Sequence, residues 1–382
     1  MVAGDPCLDR LTASLPLRQQ YRHALGAAPD TTVVTLTSTW GPNSLLGRNP
    51  ELIDAALAEL TLDDHIVAAI IHPNVWFAHG PWQLRRWFTD ALRSGLRLIP
   101  PLHGWQAALI ASDVVIGDHG AVTGYAAALS IPTVLAAFPE HEVAPGSAAE
   151  SLGRAAPHLD RRRPLPEQLA QARDQHDPSL STRITQRASS RPGRCADILR
   201  TTFYRMIDLD EPPTTAAVSP YPNPGLDVER EAVRSCRVAC TDDGAEILIR
   251  SWPGDVTPAA RRGARTTETL AAVDITHPRP DIRANADILV IGPERTTTDN
   301  DLTATYPSAS MVVTVVAPTL LTMLHRKYGR SEIELSAPVD LSMWPALVAA
   351  AAHRMHRDFP DTGAEQTARI GAHRISFRLT MI

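Results

Sequence analysis

The chain has 382 residues, 32 of them proline, and a formal net charge of −5. A soft prior of about 150 residues per domain predicts two or three domains, and the acidic balance gives no electrostatic reason to expect a nucleic acid or an anionic membrane as partner. No apolar run approaches the ~18–20 residues of a membrane span, and the N-terminus lacks the basic start of a signal peptide. We therefore expect a cytoplasmic protein without a transmembrane segment.

Composition adds two further expectations. Lys327 is the only lysine among 37 basic residues, a bias typical of a GC-rich bacterial genome. The four cysteines, at positions 7, 195, 236 and 240, form no CxxC pair and have no histidines at zinc-ligand spacing. This pattern favours reduced thiols and predicts no metal site.

The first 210 residues alternate apolar strands with helices. The strands are predicted at 31–36, 66–71, 96–99, 114–116 and 133–136. The run at 66–71 is apolar throughout, as expected of a strand buried on both faces. This alternation predicts an α/β fold with a Rossmann-like, doubly wound parallel sheet and helices on both faces, over residues 1–210.

A proline-rich stretch, residues 211–230, is predicted as a linker to a second domain at 231–382. The pattern there indicates a hairpin at 237–251, strands at 271–275, 288–291 and 311–316, helices at 318–327 and 344–357, and a closing hairpin or edge strand at 369–382. This predicts a smaller α+β domain, and none of its motifs can be converted to chemistry.

Polar side chains follow four successive predicted strands. Ser38, Thr39 and Trp40 come after the first strand, His72 after the second, His103 after the third, and Asp118, His119 and Thr123 after the fourth. In a doubly wound sheet, ligands bind beyond the carboxyl ends of the strands. Each residue taken singly is more often a cap or a turn former, but together they predict one pocket.

The turn of residues 117–123, Gly-Asp-His-Gly-Ala-Val-Thr, joins a β-branched strand to a helix. Glycines at 117 and 120 let a backbone approach a ligand closely, and the free N–H groups of a helix start favour an anion. The sequence therefore predicts a phosphate site formed by Gly117, Asp118, His119, Gly120, Ala121, Val122 and Thr123. The alternative is an ordinary strand-to-helix turn that needs glycine for its geometry alone.

Four motifs in this half resemble a known family. They are Gly4-Asp5-Pro6-Cys7-Leu8-Asp9, Thr37-Ser38-Thr39-Trp40, His72-Pro73, and the segment Ala111–Val122 with the sequence ASDVVIGDHGAV. Their order and spacing resemble the C-terminal, nucleotide-binding half of GT-B glycosyltransferase-like proteins, closest to the CDP-glycerol glycerophosphotransferase group. UDP-N-acetylglucosamine 2-epimerases share that fold and a similar turn.

The resemblance implies that a CDP- or UDP-linked donor binds with its diphosphate on the turn 117–123. Ser38, Thr39, Trp40, His72 and His103 would line the pocket, and no cofactor or metal would be needed. The family has Asp-Tyr-Ser-Ser-Val where this chain has Asp118-His119-Gly120-Ala121-Val122, so two serine hydroxyls are absent. Backbone amides, with His119 and Thr123, would have to replace them.

Family members also carry an N-terminal half that binds the acceptor and usually supplies the catalytic base. The present chain starts where that half would end, and His72 is the only candidate base that the sequence offers. The first hypothesis is therefore the donor-binding part of a transferase for a sugar or a polyol phosphate. The alternative is a non-catalytic scaffold or interaction protein. Under either hypothesis, we expect the chain to self-associate or to bind a partner that covers the place of the absent half. A third hypothesis is an epimerase acting on a UDP-sugar; it predicts acidic residues in the cleft beyond Asp118, and the sequence offers no good candidates for them.

Overall fold

The computed structural model describes residues 2–223, 228–242, 246–256, 269–293, 302, 304–338 and 365–382. The chain divides into two compact units. Unit 1 comprises Met1–Ala56, His65–Leu92 and Leu96–Arg230, and unit 2 comprises Leu57–Asp64, Arg93–Gly95 and Glu231–Ile382.

Unit 1 is built on a five-stranded sheet. Its strands are β1 (Thr32–Ser38), β2 (His65–Ile71), β3 (Arg97–Ile99), β4 (Val114–Gly117) and β5 (Thr133–Leu135). All neighbours are parallel, in the order β3-β2-β1-β4-β5. In both β1 and β2 every residue but the first is buried. The predicted parallel α/β sheet is thus confirmed.

Helices precede and connect these strands. They are α1 (Pro6–Ser14), α2 (Arg18–Leu25), α3 (Leu45–Arg48), α4 (Leu52–Glu59), α5 (Pro73–His79), α6 (Pro81–Trp87), α7 (Thr89–Arg93), α8 (Trp105–Ala111), α9 (Ala121–Ala128), α10 (Ala148–Ala155), α11 (Leu165–Asp174), α12 (Ser179–Ala188) and α13 (Cys195–Met206). One apolar cluster joins α1, α2 and α8 to the sheet, and a second packs α9, α10 and α12 against β5.

Two aspartates of the motif Gly4–Asp9 stabilise this architecture. Asp5 caps α1 by accepting from the N–H groups of Cys7 and Leu8, at 2.8 and 3.1 Å. Asp9 accepts from the N–H groups of Gly193, at 2.6 Å, and Cys195, at 2.9 Å, and so ties α1 to the start of α13. The Gly-x-Pro-x-x-Asp motif therefore joins the N-terminal helix of unit 1 to α13.

Asp113, directly before β4, anchors a second region of unit 1. It accepts from Arg18 and Arg22, each at 2.6 Å, and from the N–H of Val33 at 2.8 Å. These bonds fix α2 and the start of β1 against β4. Because both guanidiniums compensate its charge, Asp113 has a structural role.

The proline-rich segment predicted as a linker has defined partners in unit 1. Arg10 donates to the carbonyl of Ser219 at 2.7 Å, and the Tyr21 hydroxyl donates to the carbonyl of Tyr221 at 2.6 Å. Farther along, Glu229 and Leu98 exchange two backbone hydrogen bonds at 3.0 Å. The division of the chain into functional domains stays a prediction.

Unit 2 contains β6 (Ser235–Asp242), β7 (Ile247–Pro253), β8 (Leu270–Asp274), α14 (Pro280–Ala284), β9 (Ile288–Ile291), β10 (Met311–Ala317), β11 (Leu320–His325), β12 (Gly329–Leu335), β13 (Glu365–Ile370) and β14 (His373–Met381). The nine strands close into one ring in the order β10-β11-β12-β14-β13-β7-β6-β8-β9. The interior is apolar, with Phe377, Met311 and Met323 among its buried side chains.

This arrangement corrects the prediction of a smaller α+β domain. The helix expected at 318–327 is wrong, because Leu320–His325 is a strand that pairs antiparallel with both β10 and β12. Its burial alternates residue by residue, which is the period of a strand and not of a helix. The hairpin β6–β7, the strands β8, β9 and β10 and the closing hairpin are confirmed. The helix predicted at 344–357 lies outside the described residues.

Candidate functional site

The polar residues predicted as a site lie at the carboxyl edge of the unit 1 sheet. Strand order reverses between β1 and β4, since β2 and β3 extend the sheet on one side and β5 on the other. Such a switch point is where open parallel sheets bind ligands, because the connections on its two sides leave in opposite directions. Thr39 follows β1 and Asp118 follows β4, directly at this point.

Asp118 joins the loops on the two sides of the switch point. It is fully buried, and its Oδ2 accepts from the N–H groups of Thr39, at 2.9 Å, and Leu45, at 2.8 Å. Its Oδ1 accepts from the N–H of Gly120 at 2.9 Å. Three backbone donors thus compensate the buried carboxylate, and Asp118 orders the edge without facing a ligand.

Ser38 connects the same loop to β2. Its hydroxyl donates to the carbonyl of Thr39 at 2.9 Å and accepts from the N–H of Leu46 at 3.1 Å, while its own carbonyl accepts from the N–H of His72 at 3.0 Å. Ser38 itself is buried. The structure therefore brings Ser38, Thr39, His72 and Asp118 into one bonded group, with Ser38 as a supporting residue.

His72 caps helix α5, which begins directly after it. Its Nδ1 accepts from the N–H of Asn74 at 3.1 Å. A neutral imidazole that accepts at Nδ1 carries its proton on Nε2. In this geometry, Nε2 can donate a hydrogen bond to an anionic oxygen, whereas a base would need an unprotonated nitrogen there.

Gly117 and Thr123 pack against each other beneath the turn. A Cβ built on Gly117 would lie 2.3 Å from Thr123 Oγ1, so only glycine fits there. Thr123 is fully buried, and within the described residues its Oγ1 has no hydrogen-bond partner. A Cβ on Gly120 would likewise lie 2.9 Å from Asp118 Oδ1. Close packing inside the protein thus explains both glycines.

Helix α9 begins at this turn without a side-chain cap. Its N-cap residue, Gly120, has no side chain to accept from the first N–H groups of the helix. Ala121, the first helical residue, is exposed. The start of α9 therefore presents backbone donors and the positive end of the helix dipole beside a small side chain, as an anion requires.

His119 forms the rim of the site together with residues that the sequence analysis missed. Its Nε2 lies 3.3 Å from Glu142, which follows β5, and Glu142 also accepts from the Asn43 amide. Asn43 in turn accepts from Arg48 at 2.9 Å. Glu142 and Arg48 bring charges of opposite sign to this rim. Because 99 residues separate Asn43 from Glu142, no local pattern could reveal this contact.

Trp40 and His103 are not part of this bonded group. Both side chains are exposed, and no hydrogen bond joins either to the other site residues within the part of the chain that is described. A cavity of about 350 Å³ lies elsewhere in unit 1, along β5, α11 and α12, and none of the predicted site residues lines it.

Fold and site together define a class: an α/β unit with a parallel, Rossmann-like sheet and an uncapped helix start at its switch point. Solved structures with similarity to this chain include a variant of the wall teichoic acid polymerase TagF, at a TM-score of 0.39 and 16% identity over 55% of this chain and 52% of that one. A UDP-GlcNAc 2-epimerase from Neisseria meningitidis, bound to UDP-GlcNAc, has a TM-score of 0.34 and 17% identity over 54% of each chain.

The glycosyltransferase WaaG matches at a TM-score of 0.27 and 16% identity, over 45% of each chain. The GT-B-like resemblance found in the sequence motifs thus extends to solved structures. This chain covers about half the length of the polymerase and of the epimerase. No family model and no curated protein matches it.

Within the described residues, no helix combines the length and the apolar character that crossing a membrane requires. The same residues contain no group of three or more His, Cys, Asp or Glu side chains placed to hold a metal ion.

Proposed function

We propose that the carboxyl edge of the unit 1 sheet binds the diphosphate of a nucleotide-activated donor, CDP- or UDP-linked. Unit 1 would then be the donor-binding part of a GT-B-type transferase for a sugar or a polyol phosphate. The observation that carries the proposal is the start of α9, uncapped and exposed at Ala121, at the switch point of a parallel sheet.

The chemistry of the rim fits an anion. The first N–H groups of α9 would bind one phosphate, and Arg48 would supply positive charge at the rim beside the polar side chain of His119. His72 would donate its Nε2 proton to a phosphate oxygen, which stabilises the charge on a departing nucleotide. The base that accepts the proton of the acceptor hydroxyl would come from elsewhere, since His72 holds its proton on the outer nitrogen.

The test is a charge change at Ala121. In Ala121→Glu a carboxylate stands at the first turn of α9, where it favours the helix through the dipole but repels a diphosphate. Ala121→Gln is a matched control, with nearly the same size and no charge. By calorimetry, we expect the full chain to bind at least one of CDP, CDP-glycerol and UDP-GlcNAc.

For that ligand, Ala121→Glu should weaken affinity at least tenfold and Ala121→Gln by less than about threefold. Thermal unfolding of both variants checks that the fold is kept. Absence of binding by the wild-type chain, or equal affinity of the two variants, would contradict the proposal. Either result would favour the alternative of a non-catalytic scaffold.

A further inference from the structure

The cavity along β5, α11 and α12 has a buried apolar floor. Its volume is about 350 Å³, within the size range of pockets that hold small molecules. The buried apolar side chains that line it are those of Ile131, Val134, Ala156, Ala172 and Leu180. Among the described residues, those at the start of α9 and around Asp118 do not line this cavity, so it is distinct from the proposed donor site.

The rim of the cavity is polar and positively charged. Among the described residues that line it, two are arginines, Arg163 and Arg183, and one, Asp177, carries a carboxylate. Asp177 accepts a hydrogen bond from Arg183 at 3.2 Å. The acidic residues of α11, Glu167 and Asp174, do not line the cavity. Because both guanidiniums are always charged and one carboxylate compensates only one of them, the rim keeps a net positive charge.

Hydrogen bonds fix the walls of the cavity. The buried amide of Gln168 donates to the carbonyl of Arg163 at 3.0 Å, and the Arg163 guanidinium donates to Gln171 Oε1, also at 3.0 Å. On the other side, His176 Nε2 and Ser130 Oγ lie 2.9 Å apart and join the loop after α11 to the segment before β5. The cavity is thus preformed, and a ligand would bind with little ordering of the protein.

We propose that this cavity binds a small anion built on a rigid apolar ring, with the ring on the floor and the anionic group, a phosphate or a carboxylate, on Arg163. A guanidinium has five N–H donors, and Arg163 uses one of them on Gln171. The remaining donors can hold two oxygens of one anionic group. This inference goes beyond the proposed donor site, because it concerns a second ligand in a different place.

The floor favours a ring over a flexible chain. Ala156 and Ala172 have small side chains, which leaves space above them, and Ile131 and Val134 supply apolar contact from the sheet. A ring buries its apolar surface there without losing internal rotations, whereas an alkyl chain would lose several on binding.

The test is calorimetry of the full chain with three probes that share one ring: 1-naphthyl phosphate, 1-naphthoate and the uncharged 1-naphthol. We expect at least one of the two anions to bind about tenfold more tightly than the naphthol, and the tighter one identifies the anionic group. Arg163→Gln should weaken that anion about tenfold and leave the affinity for naphthol unchanged.

Two further variants locate the site. Arg162→Gln is the matched control, because Arg162 is an exposed neighbour of Arg163 that does not line the cavity, and it should leave all three affinities unchanged. Ala172→Leu enlarges a side chain of the floor and should weaken all three probes about tenfold. Thermal unfolding confirms that each variant folds.

Four outcomes would overturn the proposal. The wild-type chain binds neither anion, or it binds both no more tightly than naphthol. Arg163→Gln and Arg162→Gln have equal effects on the anion, which would indicate general attraction to positive charge. Ala172→Leu keeps its fold and the wild-type affinities, which would place the ring elsewhere. None of these results depends on whether CDP, CDP-glycerol or UDP-GlcNAc binds, so this proposal and the proposed function fail separately.

Discussion

Replacing Asp118 by asparagine tests whether this carboxylate holds the carboxyl edge of the sheet together. Asparagine has nearly the same shape but only one acceptor oxygen. With that oxygen on the Oδ2 side, the N–H groups of Thr39 and Leu45 keep their partner. The N–H of Gly120 then faces an NH₂ group, so two donors oppose each other where a hydrogen bond stood.

The cost follows from these three contacts. A hydrogen bond to a charged group contributes about 1.5–3 kcal/mol, and a buried donor left without a partner costs about 1–3 kcal/mol. The hydrogen bond from Gly120 is lost, and those from Thr39 and Leu45 are weakened because their acceptor is no longer charged. We expect Asp118→Asn to lower the free energy of unfolding of unit 1 by about 2–4 kcal/mol, and its Tm by roughly 4–16 °C.

Two measurements check this expectation. Thermal unfolding of the full chain gives the change in Tm, and hydrogen exchange of peptides covering residues 39–45 reports on the loop amides, which should exchange faster. The control is Asp30→Asn, at an exposed position, where we expect a change within about 0.5 kcal/mol. If Asp118→Asn has the same Tm as this control, and the amides of residues 39–45 exchange no faster than in the wild type, then the carboxylate does not hold the two loops. That result would refute the reasoning.

Two further predictions concern other contacts. Gly117→Ala should destabilise unit 1 by about 1–3 kcal/mol, since its Cβ would overlap Thr123. Adding Thr123→Ala should recover part of this loss of stability in thermal unfolding. If Gly117→Ala leaves the stability unchanged, the close contact does not exist. Burial raises the pKa of Asp63 to about 6 although it accepts from Ser251. Because the folded state then holds the proton more tightly than the unfolded state, the contribution of Asp63 to stability is largest below about pH 4 and falls by about 3 kcal/mol as pH rises through 6. Asp63→Asn should remove this pH dependence of the free energy of unfolding, measured by urea unfolding between pH 4 and 7, and an unchanged dependence would contradict the assignment.

The sequence by itself determined the sheet of unit 1 and the place of its candidate site. A strand such as Ile66–Ile71 is apolar at every position, so it is stable only when covered on both faces, and this requirement selects a parallel sheet with helices on each side. Local chemistry also sets the start of α9, because a glycine at the N-cap leaves the first amides free. The candidate residues at the strand ends followed from this topology.

Only the tertiary structure decided how those residues are used. Asp118 binds Thr39 and Leu45, which lie 79 and 73 residues before it, and so it supports the loops. His72 caps α5, which sets the nitrogen that carries its proton. The position of His119 depends on its contact with Glu142, which follows β5.

In unit 2, the composition of Leu320–His325 is compatible with either a helix or a strand. It is a strand because it pairs with β10 and β12. The ring closes through contacts such as Ala368 with Ile247, far apart in the chain. A residue's own sequence neighbours fix its local preference, but hydrogen bonds between distant segments are decided only when the chain is folded.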